Sequence, residues 1–176
     1  MPERTISTSG LGSEPKLDQE IHKLFVSELV APSKVLWIAS AWLSDIPVVD
    51  NRGGELSDIA PELPTRTLRL TEVLGHQVAG GAVVHIVMRK DTHNATVLAR
   101  LQEIRSQPLA GVLMLGQLPN LHEKILLTDR LKVSGSMNLT YNGRLRNTEL
   151  VHFTNDQDAI ERQRIDLDRR YSGELS

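Results

Sequence analysis

Hydrophobic positions in this chain recur at two intervals, one helical and one extended. Leu17, Ile21, Leu24, Phe25 and Leu29 fall on one helical face, with Asp18, Glu20 and Lys23 opposite and Pro32 just past the expected end. Lys34 to Ala41 is then a continuous apolar run with β-branched and aromatic residues, which predicts a strand buried on both faces. A second helix is predicted over Thr67–Ala79, carried by Leu70, Val73, Leu74 and Val78 and closed by Gly80 and Gly81. Ala82–Met88 follows as a strand. A third helix, capped by Thr92 or Asn94, uses Val97, Leu98, Leu101 and Ile104, and Gly111–Leu115 is a third strand. Leu121–Thr128 and Leu131–Val133, divided by Asp129 and Arg130, read as an antiparallel hairpin. Glu149–Phe153 reads as a further strand. A closing helix starts at Asn155 or Asp156, with Ile160, Ile165 and Leu167 turned partly inward.

Alternation of strands with helices predicts an α/β fold: a mixed, largely parallel β-sheet flanked by helices. Residues 1–15, rich in Ser, Thr, Gly and Pro, read as a flexible N-terminal arm, and residues 16–176 as a single domain. The stretch 44–66 holds Pro47, Pro61, Pro64 and two adjacent glycines, and reads as a long irregular loop. No internal repeat is visible.

Composition narrows the function. The chain has 176 residues, enough for a buried core without covalent staples. It contains 0 cysteines, which excludes disulfides, thiolate metal sites and a thiol nucleophile. A formal net charge of -2 excludes a broadly basic nucleic-acid coat but leaves room for a local cationic pocket. At 3% aromatic residues, extended base-stacking surfaces are not expected. The apolar runs are too short to span a bilayer and the N-terminus lacks the layout of a signal peptide, so a cytoplasmic location without a membrane partner is expected.

The chemistry concentrates between residues 122 and 149. On an extended strand His122 and Lys124 share a face, as do Ser136 and Asn138 on the neighbouring run. A hairpin sets the two pairs side by side. Taken singly, His122 and Lys124 are the ordinary polar edge of a strand. Together with the hydroxyl and carboxamide they suit a phosphate. Lysine supplies a point charge, Ser and Asn donate hydrogen bonds, and His offers a nucleophile or a proton. Gly135 lets the backbone approach a ligand closely.

The spacing His122-x-Lys124-x4-Asp129, followed by Gly135-Ser136-x-Asn138 and then Asn147-x-Glu149, strongly resembles the phospholipase D superfamily, in particular its nuclease-like members with one such motif. The gap between Asp129 and Gly135 is one residue shorter than is common in that family. The resemblance implies an active site built from two motifs facing each other, and this chain carries one. It therefore implies a homodimer with the site shared across the two-fold axis. One His122 would attack phosphorus to form a phosphohistidine, and the other would protonate the leaving oxygen and then activate water. Lys124 and Asn138 would hold the equatorial oxygens, and Glu149 would orient a His122 through Nδ1. Asp129 is implied as a structural carboxylate. The family implies no metal and no cofactor.

Within that superfamily a second resemblance points to DNA. Ala31-Pro32-Ser33, Leu36-Trp37-Ile38-Ala39, Ser44 to Val48, Asp50-Asn51-Arg52 and Gly135 to Gly143 look like a phospholipase D-like protein of bacterial clusters that insert deazapurines into DNA and restrict unmodified DNA. This implies a DNA endonuclease acting in phage defence or restriction, with other proteins of such a cluster as partners. Hydrolysis of phospholipid or small phosphodiesters is one alternative. A non-catalytic subunit that binds nucleic acid or protein is another. Outside the motif, His85 reads as a sheet-face residue and Trp37 as core. Arg89 and His93 read as solvated, with substrate holding the alternative, and Trp42 reads as packing, with pocket lining the alternative.

Overall fold

The computed structural model describes residues 3–8, 14–58, 60–145 and 147–176. Its frame is a seven-stranded sheet. The strands are β1 (Arg4–Ser7), β2 (Val35–Ser40), β5 (Val83–Arg89), β6 (Val112–Leu118), β7 (Lys124–Leu127), β8 (Lys132–Gly135) and β9 (Leu150–Thr154), in the spatial order β1-β9-β8-β7-β2-β5-β6. A separate two-stranded ladder pairs β3 (Pro47–Asp50) with β4 (Thr67–Arg69). The helices are α1 (Glu14–Val30), α2 (Leu70–Ala79), α3 (Ala95–Arg105), α4 (Tyr141–Leu145) and α5 (Gln157–Tyr171).

The fold is α/β, with the sheet mixed in direction. Parallel pairing is confined to β2-β5-β6, the strands joined through α2 and α3. The remaining pairs, β2-β7, β7-β8, β8-β9 and β9-β1, are antiparallel. Parallel pairs are therefore the smaller share, where the sequence predicted them to dominate. The reason is local: β7 and β8 are joined by a turn too short for a crossover, and short connections leave only antiparallel neighbours.

Alternation along β2 feeds two cores. Leu36 and Ile38 face α1, α2 and α3, where Leu17, Ile21, Phe25, Leu70, Leu74 and Leu101 complete the larger cluster. Trp37 and Ala39 face the opposite layer, against Leu127 of β7 and Ile160, Leu167 and Tyr171 of α5. Trp37 is buried, as its sequence context predicted, and His85 lies with its ring 4.3 Å from it. Burial holds the His85 pKa below its ordinary value.

Several boundaries differ from expectation. Arg4–Ser7 is not a mobile arm but an edge strand, with Thr5 opposite His152 and Ile6 buried against the main core. A short polar segment gains its order here from a partner strand more than a hundred residues away, which no local pattern records. The expected arm also includes residues 1, 2 and 9–13, which lie outside the described residues. The irregular stretch 44–66 contains β3, and Thr67–Arg69 is strand, so the second helix begins at Leu70 rather than Thr67. Asp156 caps α5 by accepting the Ala159 N–H. Ile165, expected inward, is 59% exposed because the apolar stripe of α5 is confined to Ile160, Leu167 and Tyr171.

Gly135, the last residue of β8, has φ 148, and a Cβ there would run into the Leu150 carbonyl of β9. Gly135→Ala is expected to lower stability by about 2 kcal/mol or more. Urea denaturation followed by circular dichroism measures this, with Gly173→Ala, which meets open space, as the unaffected control.

Candidate active site

Antiparallel register places the motif residues along one edge of the sheet. Lys124 opens β7 directly opposite Ser40, the last residue of β2. Gly135 ends β8 opposite Val151 of β9, and Ser136 and Glu149 lie just outside those two strands on the same edge. Arg89 ends β5 there as well. Ligands of open α/β sheets bind beyond the carboxyl ends of parallel strands, and this edge is that end of β2 and β5.

His122 precedes β7 rather than lying on it. It reaches Lys124 by a local contact: the Lys124 ammonium donates to the His122 carbonyl at 2.6 Å and stands 3.4 Å from its Nδ1. An ammonium only donates, so across this contact Nδ1 stands as the acceptor. The His122 side chain is exposed at the mouth of the site.

Asn138 binds inward to the end of β2. Its Oδ1 accepts the Trp42 N–H at 3.2 Å and the Ser40 hydroxyl at 3.4 Å. Both bonds use the carbonyl of the amide, which turns its NH2 toward other partners. The Ser136 hydroxyl donates to Glu149 Oε2 and accepts the Leu150 N–H at 2.9 Å. Glu149 is buried, and its N–H donates to Thr8 Oγ1 at 2.6 Å. Thr8 donates onward to the Asn147 carbonyl at 2.9 Å. The N-terminal segment therefore fixes the acidic residue of the site, a role invisible in its Ser- and Thr-rich sequence.

The structure brings His122, Lys124, Ser136, Asn138 and Glu149 to one edge and leaves Asp129 at the other. Four residues of near-extended chain separate Asp129 from Lys124, about 15 Å at ordinary strand rise. There Asp129 accepts the Lys34 N–H at 2.6 Å and the Arg164 guanidinium at 3.0 Å, and its own N–H donates to Ser33 Oγ at 3.0 Å. It joins the start of β2, the end of β7 and α5.

Two residues at this edge carry more than their sequence context suggested. Asn94 is buried and does not cap α3 with its side chain. It donates to the carbonyls of Ala41 at 2.9 Å and Arg89 at 2.8 Å and accepts the Leu43 N–H at 2.8 Å, tying the ends of β2 and β5 together. Arg89 donates to the Leu121 carbonyl at 3.0 Å, beside His122, and its guanidinium lies over the Trp42 ring at 5.4 Å. The sequence signal for Arg89 was its position at a strand end, and for Asn94 its position as a candidate helix cap. Among the described residues, no group of three or more His, Asp or Glu side chains is gathered to hold a metal ion.

Burial pushes the Lys124 pKa below its ordinary value and the Arg89 cation pushes it further, while Glu149 opposes both. A cationic group at a depressed pKa and a carboxylate around an open edge make an anion site whose charge is concentrated rather than spread.

A family model described as the PLD-like domain of cardiolipin synthase matches residues 60–170, and the chain belongs to this phospholipase D-like family. Membership makes it a hydrolase of the phosphodiesterase type. NucT from Helicobacter pylori has a similar solved structure, with a TM-score of 0.61 at 14% identity over 98% of this chain and 96% of that one. Nuc from Salmonella typhimurium, a phospholipase D family member, gives a TM-score of 0.60 at 16% identity over 99% of this chain and 95% of that one. Phosphatidylserine synthase of Haemophilus influenzae Rd KW20 gives 0.61 at 14% identity over 99% of this chain but 39% of its own. At such identities the likeness is one of fold. No curated protein matches the sequence.

The two cations make a prediction about titration. The depressed Lys124 loses its proton below the ordinary 10.5. Its charged form opposes folding below the folded-state pKa, and that penalty is relieved as pH rises from there toward 10.5. Arg89→Gln is expected to raise the Lys124 pKa without restoring 10.5, because burial, the larger cause, remains. An NMR titration of the Lys124 side-chain carbons measures it.

Proposed function

We propose that this chain is a metal-independent DNA endonuclease whose active site is shared between two copies in a homodimer. The observation that carries the reading is the single His122–Lys124–Ser136–Asn138–Glu149 cluster on an open sheet edge. One cluster supplies one imidazole, whereas double displacement at phosphorus asks for a nucleophile and an acid on opposite sides of the phosphodiester. A two-fold axis through the edge supplies the second. The chain spans 96% and 95% of NucT and Nuc, which supports an enzyme of this size working as one domain, residues 16–176, per subunit.

Nε2 of one His122 attacks phosphorus. The bond to the leaving oxygen breaks, and the partner subunit's His122, starting as the imidazolium, gives that oxygen its Nε2 proton and becomes neutral. Water then gives a proton back to the partner's imidazole and displaces phosphate from the phosphohistidine, restoring both rings. Lys124 and the Asn138 NH2 neutralise charge on the non-bridging oxygens. The attacking ring needs its proton on Nδ1. Glu149 holds Ser136 through Oε2, and its Oε1 receives that N–H. Asp129 acts at a distance, holding the β2-β7 register. DNA as substrate and a defence or restriction cluster as setting follow the sequence resemblance, and a cytoplasmic location is proposed alongside them. Among the described residues no helix is long and apolar enough to cross a membrane.

A second reading, hydrolysis of phospholipid, is favoured by the cardiolipin synthase description of the matching family model. One experiment separates the two. Purified protein is incubated with DNA in EDTA and, separately, with phospholipid vesicles. DNA cleavage in EDTA, reduced at least about 100-fold in His122→Ala, is the expected result. Headgroup release with DNA left intact overturns the DNA reading. Full activity from a strictly monomeric species, shown by analytical ultracentrifugation, overturns the shared site.

A further inference from the structure

Trp42 is the tryptophan that the structure withholds from the core. Trp37, five positions earlier, is fully buried, while Trp42 is 36% exposed. Its backbone is nonetheless built into the site: its N–H donates to Asn138 Oδ1 at 3.2 Å and its carbonyl accepts the Ser40 hydroxyl at 2.8 Å. The β2-β7 ladder runs on past Ser40 through the Ala41 N–H to the Glu123 carbonyl at 3.2 Å. Carried one pair further, that register sets Trp42 across from His122.

The indole is also held in orientation. The Asp91 carboxylate stands near its side chain and accepts the His93 N–H at 2.9 Å. The Arg89 guanidinium lies 5.4 Å from the ring centroid, and the His93 ring sits 6.4 Å away, itself paired with Ser44 at 3.1 Å. An exposed tryptophan fixed by this many neighbours is a plate rather than a loose surface residue.

We propose that Trp42, braced by Arg89, is the stacking platform for an unpaired nucleobase next to the scissile phosphate. The inference rests on the nuclease reading above and deepens it by naming the substrate as nucleic acid with at least one unstacked base at the site. The choice of a base follows from what already occupies the ring. Arg89 holds a cation–π position, so a second cation, such as a quaternary ammonium headgroup, would be repelled, whereas a neutral π-face is not. Stacking is tolerant of sequence and requires the base to leave its duplex neighbours. It also adds affinity without adding positive charge, which suits a chain whose net charge is -2.

The test varies the substrate and the protein together. Single-stranded oligonucleotides are prepared with one abasic position moved stepwise past the cleavage site. In the wild-type protein an abasic position beside the scissile phosphate is expected to raise KM about 5- to 100-fold, and Trp42→Phe is expected to keep most of that penalty. In Trp42→Ala the intact and abasic substrates are expected to have the same KM. An abasic penalty of the same size in Trp42→Ala as in wild type overturns the proposal while leaving the nuclease reading intact. Conversion of Trp42→Ala to a monomer by light scattering also overturns it, because Trp42 is then an interface residue. Failure of the wild-type protein to cleave any oligonucleotide overturns both.

Discussion

The register between β2 and β7 is the constraint on which this site depends. Lys124 stands opposite Ser40, and Leu127 stands opposite Trp37. Because strand side chains alternate faces, a slip of one residue would carry Lys124 away from the Ser40–Asn138 edge and push Leu127 out of the α5 core. The register is pinned at both ends by side chains bonding to backbone. At one end Asp129 accepts the Lys34 N–H, and Ser33 accepts the Asp129 N–H. At the other, Asn138 accepts the Trp42 N–H. Motif residues that never meet thus act on the same object from opposite ends.

The same register joins two halves built on different rules. The β2-β5-β6 half is parallel, helix-connected and apolar on both faces. The β7-β8-β9-β1 half is antiparallel and made of short strands. Parallel strands bring Ser40 and Arg89 to one edge. Antiparallel hairpins bring the start of β7, the end of β8 and the start of β9 to that same edge. The polar groups therefore converge where neither half alone would place them. The buried amide of Asn94, bonded to Ala41, Arg89 and Leu43, ties the ends of β2 and β5 together within the parallel half.

How far all this could be read in the sequence follows from the range of each interaction. The helical faces of α1, α2, α3 and α5 and the runs of β2 and β5 were legible because periodicity is local and strong there. The grouping of His122 and Lys124 with Ser136 and Asn138 was legible because hairpin geometry needs only parity. β1 and the β3-β4 ladder were not, since strands of three or four residues have too few positions to show a period. The part of Thr8 in holding Glu149, and of Arg89 in depressing Lys124, depends on pairings between distant segments. Trp42 was misjudged for a related reason: a tryptophan at a strand end is more often packed, and only the turn through Leu43 and its bridge to Leu139 leaves it at the surface.

Electrostatics gives the arrangement its direction. A chain with net charge -2 gains little from diffuse attraction to a polyanion, so recognition must be strong over a small area. Burial lowers the readiness of Lys124 to stay charged, and repulsion from the Arg89 cation adds to this. Such a pair is held under electrostatic tension in the empty protein. In the proposed mechanism a phosphate diester entering beside them relieves that repulsion and gains both charges at once, more than it would from two separated cations. Glu149, buried and bonded to Ser136, moderates the tension without presenting an exposed carboxylate to the incoming anion. The small cationic cluster therefore favours an anion at one spot on a chain whose net charge is -2, and in the proposed reading the neutral indole extends that preference to whatever the phosphate carries.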